Sequence, residues 1–588
     1  MKILFYVEPL IEQDMPYWKI GWVNIFCRDI IKTLKQCENN YEFLIMTNEA
    51  IAQKVDIEVS IVELTQKELL KPFGTTNYMD VTTAWHCDTY TTGQLKDYKK
   101  VMLERLDNYV PDIIISFSPV PFFRVMFPET LILHHEYSIF SRHPYPQTWF
   151  LDPIGMHSNL FLNKFQNEIK SMQLTKIQTD LLNGLKQLCQ NILTLKSPFK
   201  KILQEKRKRF NYLVLLPLQF SRFYSFDDLV PFKSQYEYCV YILDNVPSNI
   251  GIVVSTHPEY SVFSKEAVEF LKTKYSNFIY EDEFNSVYAS GQFMLPFVDA
   301  VVTVSSSLAL QTLLFDKKLI TLSNKTFSFI ADDINIKNIE KVLNYKNTNA
   351  KDSFLYFILT KYAITEEYIH NSKWLDGFLT GSIKKFRKNG ILFNFYNFID
   401  EEEKIFDLLA KKLQTNQVLV PHYLNKNFIQ LLIIGLYKNY FIKLPVKDDS
   451  KTKKFKFNLS YYEEITKLRL DPLNESCIIK IDKIILKKCD GEEVDLTYSI
   501  DTNAIESFNG KYYFEREDGH IYFYNEFKDA KELLVWITYL KFEKEAQLEC
   551  IKHLKRENLK EFISFSKLTI LSLSLWVLQV LLRKLGKV

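Results

Sequence analysis

From Met1 to about Leu160, short β-branched and aromatic runs ("KILFYVE", "YEFLIMT", "VSIVEL", "PDIIISFS", "TLILHHE") alternate with amphipathic stretches such as "VNIFCRDIIKTLK" and "LKDYKKVMLERLDNY". Continuous apolar runs of this kind read as strands buried on both faces, and the stretches between them as helices. The alternation predicts right-handed βαβ units and a parallel sheet. Residues 160–204 read as amphipathic connecting helices, after which a second alternation follows in "YLVLLPLQ", "QYEYCVYILDNV", "IGIVVSTHP", "NFIYEDE", "DAVVTVS" and "KLITLSN". The expected α/β architecture is a pair of Rossmann-type domains, 1–204 and 205–334, with a central cleft between them.

Beyond that the pattern changes twice. Helical periodicity over 335–450, clearest in "EEEKIFDLLAKKL", predicts a helical region. After the basic run Lys447 to Lys456, segments such as "KFKFNLSYY", "CIIKIDKIILKK" and "LLVWITYLKF" are separated by Gly, Asn and Asp turns. They predict a β-sandwich accessory domain over 451–548. The tail, 549–588, holds "KLTILSLSLWVLQVLLRKLGKV", an apolar run of about fifteen residues against the roughly twenty that a spanning helix needs. Its basic flanks suit an amphipathic helix lying on an anionic inner leaflet; a helix buried on another domain is the alternative.

Composition narrows the class. The chain has 588 residues, too many for a single core, and is 47% apolar with 46 Phe and 34 Tyr, so packed domains rather than disorder are expected. A net charge of +3 and the lack of any recognition signature speak against a nucleic-acid partner. The eight cysteines are scattered without a C-x-x-C pair, which fits free thiols in a reducing compartment. "MKILFYVEPL" reads as a first buried strand and not as a signal peptide, so the expected location is cytoplasmic, peripheral to the inner membrane.

The candidate chemistry sits at strand ends, where open parallel sheets bind ligands. "VVSTHPEY" ends a strand on His257, and "VVTVSSSLALQTLLF" runs from a strand through Ser305, Ser306 and Ser307 into a helical pattern that carries Gln311. Hydroxyls and free N–H groups together suit a phosphate, although a serine before a helix is commonly only a cap. In the first half, "HHEYSIFSRHPYPQTWFLDPIG" brings together His134, His135, Glu136, Arg142 and Asp152. Glu136 is a candidate general acid or base, and a solvated loop with salt bridges is the plainer alternative. No G-x-G-x-x-G, Walker loop, H-E-x-x-H, nucleophile elbow or Asp-x-Asp is present, so neither a cofactor nor a metal is expected.

These blocks, "LPLQFSRFYSFDD", "VVSTHPEY", "VTVSSSLALQTLLFDKKLI" and "HHEYS…LDPIG", resemble those of the capsule polysaccharide biosynthesis glycosyltransferases, a GT-B-like group that includes the β-Kdo transferases. The resemblance spans roughly Met1 to Asn324. It implies transfer of Kdo from CMP-Kdo to a lipid-linked or oligosaccharide acceptor, with Gln219, His257, Ser305, Ser306, Ser307 and Gln311 on the donor. Glu136 would then be the catalytic acid/base, and His135, Arg142 and Asp152 the acceptor loop. The group's nucleophilic aspartate has no direct counterpart after Gln219; Asp227 or Asp228 takes that place only with a shifted loop. Gln311 stands for the group's ribose-binding Glu, and Ala309 and Asp316 stand where glycines are usual. A CDP-polyol transferase of teichoic-acid type and a non-catalytic glycan-binding scaffold are the competing readings.

Overall fold

The computed structural model describes residues 1–10, 17–219, 229–257, 262–345, 350–396, 402–415 and, within 428–550, all but 436–438, 447–451, 461, 463–464, 509, 515–518, 524, 543–544 and 547. The chain divides into two compact units, Met1–Leu424 and Asn425–Val588. The expected tail helix lies almost wholly outside the described residues, as does Asp227. Among the described residues no helix is long and apolar enough to cross a membrane.

The first unit contains both parallel sheets. Strands β1 (Lys2–Tyr6), β2 (Glu42–Asn48), β3 (Ser60–Leu64), β4 (Ile113–Ser116) and β5 (Leu131–Tyr137) pair in parallel in the order β5-β4-β1-β2-β3, and β6 (Thr148–Asp152) turns back antiparallel on β5. The apolar runs become strands because both faces are covered: Ile3, Leu4 and Phe5 are completely buried. The second sheet is all parallel: β7 (Tyr212–Pro217), β8 (Ile250–Ser255), β9 (Phe278–Ile279), β10 (Ala300–Thr303) and β11 (Lys318–Thr321), in the order β11-β10-β7-β8-β9. Its strand order reverses at β7, which places a crevice beyond the carboxyl ends of β7, β8 and β10.

The two sheets share one core. The connecting helix Lys176–Lys196 buries Leu182, Leu185, Cys189 and Leu193 in a cluster that includes Phe5 of β1 and Leu213 of β7. Its buried Lys186 pairs with Asp316 and with Asp352, the latter at 3.1 Å. Asp316 has φ 52, a left-handed position that favours glycine but that Asp tolerates, which accounts for the departure from glycine there.

The helical region expected over 335–450 is not a unit of its own. Strand β12 (Ile364–Thr365) joins the first sheet antiparallel to β6, with Ile364 opposite Trp149. Phe354, Leu375, Phe406 and Leu413 enter the same core as the first sheet. Strands begin again well before 451, with β13 (Phe428–Gly435) and β14 (Asn439–Pro445), because "FIQLLIIG" and "NYFIKLP" are β-branched and aromatic. The boundary expected at the basic run therefore falls about one hairpin late.

The second unit continues with β15 (Thr452–Asn458), β16 (Ile465–Asp471), β17 (Cys477–Lys488), β18 (Glu493–Asp495), β19 (Ile500–Thr502), β20 (Glu506–Phe508), β21 (Lys511–Phe514), β22 (Ile521–Phe523) and β23 (Ala530–Phe542). They form two antiparallel sheets, β14-β13-β16-β22-β19 and β15-β23-β17-β21-β20, with β18 beside β17. Alternate residues point inward: Leu431, Ile433, Leu468 and Leu470 of one sheet enter the same core cluster as Phe455, Phe457, Val535 and Ile537 of the other.

Candidate functional site

The crevice at the second sheet's carboxyl edge holds an open cavity of about 120 Å³. Three strand ends build it. Pro217 ends β7 and Leu218 and Gln219 follow it; Ser255 ends β8 and Thr256 and His257 follow it; Ser306 and Ser307 follow β10. Gly291 lets this wall close up, since a Cβ there would lie 2.6 Å from Leu308 Cδ1 and 3.2 Å from Ser255 Oγ.

Local hydrogen bonds fix these groups. Gln235 Oε1 accepts from the Gln219 amide at 2.9 Å, and Ser305 Oγ donates to Gln219 Oε1 at 3.2 Å, so Ser305 acts behind the cavity wall by orienting Gln219. Thr256 Oγ1 donates to Asn285 Oδ1 at 3.0 Å, and Asn285 in turn donates to the Tyr280 hydroxyl at 2.9 Å. The serine-led helix is shorter than its pattern implies: one α-turn, Leu308–Gln311, and then a 3-10 turn, Thr312–Phe315. Ser307 makes no side-chain cap bond, whereas Ser306 Oγ accepts a long 3.4 Å bond from Leu308 N. Ser306 thus caps weakly, and both Ser306 and Ser307 line the cavity.

The opposite wall comes from the first half. Ser141 and Arg142 line the same cavity, carried by a loop that two glutamines of the second half clip in place. Gln292 Nε2 donates to the His143 carbonyl, and Gln311 Nε2 to the Ile139 carbonyl at 3.4 Å. Gln311 is only 2% exposed and its Oε1, beside the cavity, has no hydrogen-bond partner. A buried acceptor left without a partner costs free energy that a ligand hydroxyl or amine would recover. Arg142 stacks on Tyr288 at 5.5 Å and, among the described residues, has no carboxylate within ion-pair distance. The structure therefore places Arg142 at the same cavity as Gln219, His257, Ser306, Ser307 and Gln311.

Glu136, at the end of β5, is half-buried. Burial pushes its carboxyl up to about 7, against the opposing pull of the Tyr137 N–H, which donates to Oε1 at 2.7 Å, and of the Arg142 guanidinium. A carboxyl poised near neutrality next to the cavity's cation can take or give a proton.

Two neighbouring expectations need correction. His135 is buried against Phe26, Phe117 and Trp149 and accepts a 2.8 Å hydrogen bond from Trp22 Nε1 on Nδ1; burial holds it neutral, well below the usual imidazole range. Asp152 is 0% exposed and accepts from the amides of Ile154, Gly155 and Phe161 and from the Tyr362 hydroxyl at 2.7 to 3.1 Å. In Asp152-Pro-Ile-Gly155 the glycine is required because a Cβ would lie 2.9 Å from the Asn159 carbonyl. That motif clamps a turn, so neither residue is placed to meet an acceptor. His134 is likewise buried, its Nδ1 3.2 Å from the Asp152 carbonyl.

Sequence reading missed Thr256, Gln292 and Ser141. Thr256 carries a signal, as the neighbour of His257 at a strand end; Gln292 and Ser141 sit in stretches without one.

No family model matches the chain, and no curated protein matches it. Among similar solved structures is the β-Kdo 2,7 transferase of Thermosulfurimonas dismutans KpsC, 14% identical, covering 64% of this chain and 100% of that one, with a TM-score of 0.33. Solved β-Kdo transferases are thus among the structures this chain resembles. The β-Kdo 2,4 transferase of the same organism's KpsC is 15% identical over 42% of this chain and 79% of that one, with a TM-score of 0.27. The Neisseria meningitidis UDP-GlcNAc 2-epimerase bound to UDP-GlcNAc is 11% identical over 70% and 100%, with a TM-score of 0.26. Likeness this distant assigns no activity, and the residues of the cavity carry the functional reading.

Proposed function

We propose that the protein is a glycosyltransferase of bacterial surface polysaccharide assembly, capsule or lipopolysaccharide O-antigen, that uses a nucleotide-sugar donor. CMP-Kdo is the favoured donor and a lipid-linked or oligosaccharide chain the acceptor. The observation that carries this reading is the convergence of Gln219, His257, Ser306, Ser307 and Gln311 with Arg142 from the other half around one cavity. Arg142 is a permanent cation, His257 a titratable one, and the hydroxyls and amides supply further donors; that set suits a phosphate whose negative charge grows as the sugar leaves. Gln311 Oε1 supplies an acceptor for a ligand hydroxyl.

In the proposed reaction the acceptor oxygen bonds to the anomeric carbon as the bond from that carbon to the phosphate oxygen breaks. The bonding pair leaves with CMP, where Arg142 and His257 offset its charge, and the acceptor proton passes to Glu136. With Asp227 as nucleophile the same proposal runs in two steps and retains configuration: the Asp227 carboxylate first bonds to the anomeric carbon as CMP leaves, and the acceptor oxygen then displaces that carboxylate as its proton passes to Glu136. The readings of the antiparallel unit as a β-sandwich accessory domain and of the basic tail as an anchor on the cytoplasmic face of the inner membrane belong to the same proposal.

A thermal-shift titration with CMP, CDP, UDP and GDP tests the donor. Selective stabilisation by CMP, weakened by His257→Ala, is expected, since a ligand that binds only the folded state raises its melting temperature. Consumption of CDP-glycerol rather than CMP-Kdo would move the reading to a polyol-phosphate transferase, whose leaving group is also CMP. A flat response to all four would sink the nucleotide site.

A further inference from the structure

A second cavity, about 470 Å³, lies away from the cleft, by Lys318 at the amino end of β11. Five segments converge on it, and each of four brings a lysine: Lys170, Lys318, Lys341 and Lys351, facing Asp332 and Asp333 of the loop after β11. The two carboxylates are already committed to the fold. Asp332 pairs with Lys351 at 2.6 Å and accepts from Leu319 N at 2.7 Å. Asp333 accepts from the amides of Ile334 and Asn335 and from the Asn338 side chain at 2.7 to 2.9 Å. Lys170 and Lys341, by contrast, have no carboxylate within ion-pair distance among the described residues. The groove therefore keeps a positive rim that its own acids do not neutralise.

Two further features define what would fit. Phe329 and Phe354 form a buried apolar floor, and Tyr345 stands at the wall 65% exposed, with Lys318 Nζ 6.0 Å from its ring centre. A large aromatic left in water beside a cation offers a flat apolar face with a charge at its margin. The lysines sit on separate elements around the cavity, as spaced point charges rather than a guanidinium fork closing on a single dianion. Spaced charges suit a ligand whose anionic groups are distributed along a chain, and an aromatic face suits the C–H side of a sugar ring.

We propose that this groove binds an acidic oligosaccharide, its carboxylates meeting Lys170, Lys318 and Lys341 and one sugar face packing on Tyr345. The site is independent of the nucleotide reading and shares no residue with the cleft. If both hold, the groove keeps hold of an acidic chain at a distance from the reacting cleft.

The test is calorimetric titration of the full chain with tetragalacturonic acid, maltotetraose and tetra-aspartate. Expected are binding of the acidic sugar that weakens as salt rises, no binding of maltotetraose, and weaker binding of tetra-aspartate. Lys170→Glu with Lys341→Glu should cost at least about tenfold in affinity, since two surface ion contacts are lost and replaced by repulsion. The double change to arginine should retain binding, and Tyr345→Ala should lower it several-fold. No binding by the wild-type chain, or equal binding by the double glutamate variant, overturns the site. Tetra-aspartate binding as tightly as the sugar, with Tyr345→Ala silent, overturns the assignment to a glycan. A CMP shift measured on the same preparations reports the cleft separately, so either reading can fail alone.

Discussion

At the carboxyl edge of the first sheet, His134, His135 and Asp152 are buried, with His134 Nδ1, His135 Nδ1 and the Asp152 carboxylate engaged by the protein itself, whereas at the same edge of the second sheet Gln219, His257, Ser306 and Ser307 line an open cavity. The difference is topological. Strand β6 returns antiparallel beside β5, placing Asp152 opposite His134 and Leu151 opposite His135, so these residues are paired within the sheet. The second sheet is parallel throughout, and among the described residues no strand pairs antiparallel with β7, β8 or β10. Polar residues at a strand end are therefore ambiguous until it is known whether the next strand turns back beside them.

The sharpest way to break this comparison uses the two acids of the first half, both of which burial pushes up, Glu136 to about 7 and Asp152 to about 6. If they differ as their surroundings indicate, Glu136→Gln abolishes turnover, by about 10²- to 10⁴-fold, with CMP affinity and melting temperature kept. Residual turnover above a tenth of the wild-type rate, measured on CMP-Kdo with an oligosaccharide acceptor, would remove Glu136 from proton transfer.

Asp152→Asn should do the reverse. An amide cannot serve all four donors, and the loss is about 2–4 kcal/mol of stability, read by denaturant unfolding. The pH signature is specific. Because Asp152 is raised in the folded state from 3.8 to about 6, the folded chain binds more protons between those values, and its share of stability falls as pH rises through that window. His134, lowered to about 3 from 6.5, has the opposite sign, its stabilisation being lost as pH falls below 6.5. Asp152→Asn should remove its own share of the first trend, leaving that of Glu136, raised from 4.5 to about 7, and the second trend in place; an unchanged pH profile would contradict the clamp.

How much of this was legible beforehand follows from the range of the interactions involved. Buried runs such as Lys2–Tyr6 and Ile250–Ser255 announce themselves because parallel strands are apolar on both faces, and His257 and the serines were legible as strand ends. The fate of His135 was not, since it depends on Trp22, 113 positions away. Nor was the return of Ile364–Thr365 to the first sheet, a two-residue pairing inside an otherwise helical stretch. Arg142 was visible as a loop cation, but its wall of the cavity is set by Gln292 and Gln311, far along the chain, reaching back to the loop's carbonyls.

Arg142 is also where the two edges meet, and its removal gives the smallest of these effects and the most informative. Losing a charge-assisted contact of about 1.5–3 kcal/mol, Arg142→Ala should weaken CMP binding roughly 10- to 100-fold. The same guanidinium holds Glu136 down, so its loss should move the Glu136-dependent limb of the pH–rate profile upward from about 7. Arg142→Lys keeps the charge but not the planar fork; it should restore the limb while recovering only part of the affinity. A variant with weakened CMP binding and an unmoved limb would separate donor binding from proton transfer, leaving Arg142 to the second sheet's site alone. An unmoved affinity with a shifted limb would assign it to Glu136 instead, and the cavity's charge would then rest on His257.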